Sequence, residues 1–226
     1  RPPRSTLFPY TTLFRSRFGA FQCNLLLEGF YTRLNHVFVL EEIGKDEEHN
    51  AVIKERRNGQ GAEVAGVTVE GKVAYLSLVQ LQAGVTWQKS HYTRPEKWSK
   101  DSSVPAEKRI FRTPDWYGYF TATYSPVKPL NIALSGTYTG SMIVQHMKGY
   151  IPKDMAVTTP DFFDMNLKIS YDFSLYKFIT LQLNAGVQNI FNAYQRDFDQ
   201  GKERDSGYIY GPSMPRSYFA GAKLMF

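Results

Sequence analysis

The chain has 226 residues, a formal charge of +6 and an aromatic content of 15%. Its mean hydropathy is -0.37, and no stretch approaches the roughly 20 apolar residues of a membrane helix; a helical membrane protein is excluded, whereas membrane strands are not, because alternation dilutes hydropathy. One cysteine, Cys23, excludes an internal disulfide framework, and the mixed charges of "EEIGKDEEHNAVIKERR" (41–57) describe solvated loops rather than a nucleic-acid stripe.

In chain order, "TLFPYTTLFRS" (6–16) comes first and lacks the charged-then-apolar layout of a signal peptide. It resembles a translated sequencing-library adapter, residue for residue. Residues 1–16 are therefore expected to be an artefact foreign to the protein. They hold Arg1, Arg4 and Arg15 and no acid, so without them the charge falls from +6 to +3. A natural chain cut at residue 17, and continuing upstream of it, is the matching expectation.

From residue 17 the chain reads as strand, turn, strand. The segment "FQCNLLLEGFYTRLNHVFVLEEI" (21–43) is the least regular, because Leu25 to Leu27 run together. Alternation improves in "AEVAGVTVEGKVAY" (62–75) and in "VQLQAGVTWQ" (79–88), where Val79, Leu81, Ala83, Val85 and Trp87 oppose Gln80, Gln82, Gly84, Thr86 and Gln88. It continues through "DWYGYFTATY" (115–124), "LNIALSGTYTG" (130–140), "DFFDMNLKISYDF" (161–173) and "ITLQLNAGVQN" (179–189). The last segment, "MPRSYFAGAKLMF" (214–226), puts Tyr218, Ala220, Ala222, Leu224 and Phe226 on one face. About eight strands are predicted.

The connections alternate in length. Short links near 76, 127 and 176 are separated by long polar excursions at 93–114, 145–160 and 192–215, with a further one at 44–50. Short turns on one rim and long loops on the other are the layout of an outer-membrane barrel. With an even strand number, Phe226 falls on the short-turn rim. A soluble β-sandwich also alternates, and two features separate the cases. Aromatics gather near strand ends, as Trp116, Tyr117, Tyr119, Phe162, Phe163, Tyr171 and Phe173 do, which suits interfacial girdles. The opposite face, rich in Gln, Asn, Thr, Lys and Asp, suits a wet lumen.

Four segments carry a resemblance: "LLLEGFYTRLNHVFVL" (25–40), "GAEVAGVTVEG" (61–71), "LQLNAGVQNIFNAYQ" (181–195) and "YGPSMPRSYFAGAKLMF" (210–226). Together and in this order they resemble the carboxy-terminal barrel of TonB-dependent outer-membrane receptors. The resemblance implies an all-β fold, with 17–226 forming the antiparallel carboxy-terminal portion of a transmembrane barrel of about 22 strands. It implies a Gram-negative outer-membrane location with the carboxy terminus on the periplasmic side. Energised uptake of a scarce nutrient, a ferric siderophore, cobalamin or haem, would be the function of the intact protein. Partners would be outer-membrane lipid, the barrel-assembly machinery, the small-molecule or metal-chelate ligand, and TonB through an amino-terminal plug region that is absent here.

The resemblance also assigns roles. Tyr218, Ala220, Ala222, Leu224 and Phe226 would form the barrel-assembly signal. Asp164, Lys168 and Asp172, of lumen parity, are candidates for plug or substrate contacts, their alternative being simple wall hydration. His91, His146, Arg196 and Tyr208 are candidates for outer-loop ligand contacts. Asn189 and Asn192 are expected to order the turn after the penultimate strand by side-chain to backbone bonds.

No catalytic chemistry is legible. His36, His49, His91 and His146 are scattered without metal-ligand spacing. The acids of "DFDQGKERDSG" (197–207) do not follow a calcium-loop pattern and read as a charged surface loop. "GVTVEGK" (66–72) lacks the glycine spacing of a phosphate loop. The expectation is a non-enzyme without cofactor or nucleic-acid partner. A complete eight-stranded barrel with a structural or adhesive role is the rival; there side chains would fill the interior, and small residues such as Gly84, Ser135 and Gly186 would leave gaps.

Overall fold

The computed structural model describes residues 5–46, 48–49, 51–212 and 214–226, and its regular structure is all strand. Nine strands form one antiparallel path: β1 (Ser5–Phe18), β2 (Phe21–Leu34), β5 (Ala62–Tyr75), β6 (Val79–Glu96), β8 (Trp116–Val127), β9 (Leu130–Thr139), β12 (Phe162–Tyr176), β13 (Ile179–Gln188) and β14 (Ser217–Met225). The remaining strands lie in the long connections. β3 (Phe38–Asp46) pairs with β4 (Ala51–Asn58), β7 (Glu107–Arg109) pairs with the far end of β6, and β10 (Ile143–His146) pairs with β11 (Met155–Thr158).

Each strand pairs with its neighbour in the sequence order of the path, as short hairpins dictate. Residues 19–20, 76–78, 128–129 and 177–178 make the short turns. Residues 35–61, 97–115, 140–161 and 189–216 make the long excursions on the other rim. Thr180 pairs with Met225, so β14 ends at the short-turn rim beside the start of β13.

The two faces are distributed the opposite way to a soluble sheet. On β6, Leu81, Val85 and Trp87 are exposed, the last at 41%, whereas Thr86, Gln88 and Ser90 are buried, Thr86 at 5%. Strand register carries the apolar face across the molecule: Leu27 meets Val69, Val69 meets Val85, Leu81 meets Ala122, and Ala122 meets Leu134. Leu134 meets Leu167, Leu167 meets Val187, and Val187 meets Tyr218. No second sheet packs on this face among the described residues, as a sandwich would require. The hydrophobic term therefore favours an apolar solvent, and among the described residues no helix is long and apolar enough to provide a crossing.

Aromatic rows bound the apolar face. Near the long-loop rim, Trp87 and Trp116 lie 6.3 Å apart between centroids, and Phe163 stacks with Phe191 at 5.7 Å. Near the short-turn rim, Phe21 contacts Tyr75 and Tyr171 contacts Phe173, each pair at 4.6 Å. Phe163 and Tyr171 are eight residues apart on β12. That is about 26 Å along the strand and about 20 Å along the normal at a usual barrel tilt, close to the height of a lipid-facing band.

The expected girdle needs correcting at Tyr117, Tyr119 and Phe162. The period of two puts them on the polar face, one residue out of step with Trp116 and Phe163. Tyr119 accepts a hydrogen bond from Gln82 Nε2 at 3.1 Å, and Gln82 also donates to Glu70 at 2.8 Å. The expected gaps at Gly84 and Gly186 are filled. A Cβ on Gly84 would stand 2.8 Å from the Tyr119 ring, and one on Gly186 would stand 2.5 Å from Phe219. Each glycine seats the aromatic of its cross-strand partner.

The segment expected to be foreign forms most of β1, in register with β2 from Ser5 opposite Leu34 to Phe18 opposite Phe21. Its threonines and aromatics favour strand at any open sheet edge. The strand expected over 21–43 stops at Leu34, and Phe38 begins the β3–β4 hairpin. The path runs open from β1 to β14, so the described residues form no closed eight-stranded barrel.

Candidate functional site

The long-loop rim is an organised cluster built on the connection 189–216. Asn189 and Asn192 both have left-handed φ, 50° and 54°, a conformation that asparagine tolerates better than most residues. Asn189 Oδ1 accepts from the Ala193 amide at 2.8 Å, while its Nδ2 donates to the carbonyls of Ala193 and Met214, each at 2.9 Å. Asn192 Oδ1 accepts from the Arg216 amide at 2.9 Å. Side-chain to backbone bonds of both asparagines thus fix the loop's base, as the sequence suggested.

Gln195, 1% exposed, substitutes for a strand partner. Its Nε2 donates to the Tyr208 carbonyl at 3.0 Å, and its Oε1 accepts from the Tyr210 amide at 2.9 Å. Those bonds bring two tyrosines to one carboxylate. Tyr208 and Tyr210 donate to Asp197 Oδ2 and Oδ1 at 2.8 and 2.5 Å. Burial raises the Tyr208 pKa, helped by the bond to Asp197, to about 12. Burial and the same carboxylate also push Tyr210 well above its ordinary value. At Asp197 burial acts upward, but the bonds from Tyr210 and Tyr208 outweigh it and hold the carboxyl below its ordinary value.

Three long loops meet around Tyr208, which is 3% exposed. The His146 ring stacks on it at 3.6 Å, 7° from parallel. His146 Nε2 lies 2.9 Å from Asp199 Oδ2, an oxygen that also accepts from the Asp205 amide. Asp205 in turn accepts from the Met147 amide at 2.8 Å. From 97–115, Arg112 donates to the carbonyls of Ile209, at 2.7 Å, and Gly207. Ser99 donates to Asp154 at 2.6 Å, tying that loop to 140–161.

Beside this cluster is a cavity of about 310 Å³ lined by Pro160, Phe162, Tyr194, Arg196, Asp197 and Tyr210. The Arg196 guanidinium lies 5.3 Å from the Tyr194 ring centroid, within cation–π range. Aromatic walls with one guanidinium, beside a carboxylate whose two oxygens already accept from Tyr208 and Tyr210, suit a flat group that turns acceptors toward Arg196.

The candidate residues divide by place. His146 and Tyr208 come together but are engaged within the protein, and Arg196 faces the adjoining cavity. His91 shares the parity of Trp87 on β6 and lies 3.6 Å from Glu63, away from that cluster. Asp164, Lys168 and Asp172 share the polar face of β12. Asp172 accepts from Gln182 at 2.8 Å, whereas Asp164 Oδ1 is buried without a hydrogen-bond partner among the described residues. Tyr218 and Leu224 are exposed on β14, and Phe226 is exposed just after it. Sequence reading missed Gln195, Asp197, Tyr194 and Tyr210. The tyrosines' alternate spacing on either side of Ile209 was the available clue.

Comparison with known proteins places this geometry. A search of curated proteins found no match. Among solved structures, the chain superposes on the ferric-catecholate import receptor Fiu from K12 E. coli with a TM-score of 0.61 at 19% identity, covering 100% of this chain and 28% of that one. The siderophore receptor PirA from Acinetobacter baumannii gives 0.58 at 14% identity, covering 98% and 32%. FpvA of P. aeruginosa, bound to a heterologous pyoverdine and iron, gives 0.60 at 13%, covering 100% and 31%. The chain thus spans about three-tenths of the length of these proteins, and at such identities the likeness is one of fold. The sequence profile described as "TonB dependent receptor-like, beta-barrel" matches residues 14–190. That match covers most of the chain and follows the strand path through β13: the chain belongs to the TonB-dependent receptor β-barrel family, a family of receptors rather than enzymes.

Proposed function

We propose that residues 17–226 are the carboxy-terminal part of a TonB-dependent receptor for a scarce nutrient of the ferric siderophore, cobalamin or haem class. Residues 1–16 are foreign to it in this reading, which rests on their likeness to a translated adapter; the family match begins within them, at residue 14. The observation that carries the receptor reading is the inverted sheet, with apolar side chains exposed on one face from β2 to β14 and the buried Thr86, Gln88, Ser90 and Ser170 on the other. The long-loop rim is then extracellular and the short-turn rim, with Phe226, periplasmic. β14 presents its apolar face as the assembly signal, Asp164, Lys168 and Asp172 on the polar face of β12 face the plug or the passing substrate, and TonB is met through residues upstream of 17.

The cavity at Arg196 is the ligand-contacting part of this segment. At about 310 Å³ it lies at the lower end of ligand-site volumes, roughly 300–1,000 Å³, so it takes one ring-sized arm of a larger chelate. Siderophores whose aromatic arms carry acceptor oxygens fit it best, and the fold's likeness to receptors for ferric catecholate and siderophores supports that choice. The test is equilibrium binding of a ferric tris-catecholate, cobalamin and haem to the intact receptor in detergent. The expected result is selective binding of the catecholate, weakened about tenfold by Arg196→Ala, the loss of about one desolvated cation contact. Binding of cobalamin or haem alone, or catecholate binding indifferent to Arg196, overturns the assignment.

A further inference from the structure

A second cavity, of about 210 Å³, opens where β6 rises beyond the start of β8 and the end of β9 on the long-loop rim. Ser90 and Arg109 border it from β6 and β7, Trp116 from the start of β8 with Asp115 just before it, and Tyr138 from the end of β9 with Ser141 just after it. It shares no lining residue with the cavity at Arg196. Trp116 and Tyr138 also belong to the apolar face, and Trp116 contacts Trp87 in the aromatic row. The opening is therefore level with the headgroups of the surrounding leaflet.

The lining is polar but close to neutral. Asp115 takes Lys89 at 2.7 Å through Oδ2, and Arg109 Nε lies 3.7 Å from Glu107. Two cations matched by two carboxylates leave no surplus positive charge, which argues against a bare phosphate as the favoured guest. Ser90 and Ser141 bring hydroxyls that no described residue engages. Hydroxyls offer both donor and acceptor, the guanidinium only donors, the carboxylate only acceptors. The indole and phenol rings add flat apolar walls. The 210 Å³ volume equals the liquid volume of about seven waters.

We infer that this cavity binds a single pyranose ring, hydroxyls toward Ser90, Ser141, Arg109 and Asp115 and a C–H face against Trp116 or Tyr138. Its place in the aromatic row makes the sugar headgroup of a membrane glycolipid the source. That source rests on the reading of the apolar face as lipid-facing.

The intact receptor is incorporated into nanodiscs of phosphatidylcholine with and without a glucosyl diacylglycerol, and bound lipid is counted by native mass spectrometry. Methyl glucoside serves as soluble competitor. The expected result is one retained glycolipid per receptor, displaced by methyl glucoside and reduced about tenfold by Ser90→Ala with Ser141→Ala. Binding of methyl glucoside without glycolipid enrichment keeps the sugar site and overturns its lipid source. A folded, incorporated receptor that binds neither, or a double variant that binds both unchanged, overturns the site. Incorporation, scored by heat-modifiable migration, reports on the lipid-facing reading separately.

Discussion

Asp197 shows how a residue that reads as surface charge becomes structural. Its loop holds so many acids and so little hydrophobic period that the sequence suggests solvation. In the fold two phenols donate to it, and neighbouring Asp199 meets His146, 53 residues away in sequence. Nothing local marks such a partner, whereas Asn189 and Asn192 were legible because their bonds stay at the turn they make. The network has a defined pH window. The depressed pKa of Asp197 supplies stability above an unfolded carboxyl pKa of about 3.9, lost as pH falls through the lower folded value. The raised tyrosine pKa values supply stability in full below about 10, lost as pH rises toward and beyond the folded values. Alkaline titration of phenolate absorbance should show Tyr208 ionising late, near pH 12, and Asp197→Asn should return that phase toward about 10. An unchanged titration in the variant would mean that the carboxylate does not hold the phenols.

Strands were legible to the degree that one side chain in two is apolar. The spans 62–75, 79–88, 130–140 and 179–189 fall on β5, β6, β9 and β13, because in each only one face carries polar groups. β3 and β4 escaped because charged residues follow one another in the sequence there and the register shifts between Glu42 and Gly44. β7, β10 and β11 are only three or four residues long, too short for a period to emerge. Glycine pairing was misread for a different reason: a sequence shows a missing side chain but not the cross-strand aromatic that covers it. At Gly186 a Cβ would overlap the Leu167 carbonyl as well as crowd Phe219. Gly186→Val should therefore destabilise the barrel by about 1–3 kcal/mol through overpacking, read as a lower temperature of heat modification. Gly71→Ala, at a position with no atom within 4 Å of the added Cβ, should leave it almost unchanged. Equal behaviour of the two variants would mean that Gly186 is not a seat for Phe219.

At the scale of the molecule, the alternation of short turns and long loops carried more information than any one strand. It forecast the order of the path and the rim on which Phe226 lies. Nothing in it forecast that three loops would knit around Tyr208, because contacts between loops have no period to read. The exposed apolar face from β2 to β14 has a free-energy rationale only if lipid covers it, since in water an apolar surface of that extent would drive association. That face is also where the receptor reading is most exposed to test. Nitroxide labels at Leu81→Cys, Gln82→Cys, Ala83→Cys, Val85→Cys and Thr86→Cys, with Cys23→Ser as background, can be placed one at a time on β6 of the intact receptor in liposomes. Collision rates with oxygen, which concentrates in lipid, and with a polar nickel chelate then report each environment. Oxygen preference is expected at 81, 83 and 85 and restricted oxygen access at 82 and 86, a period of two residues along the strand. Nickel preference at 81, 83 and 85, or no periodicity at all, would contradict it.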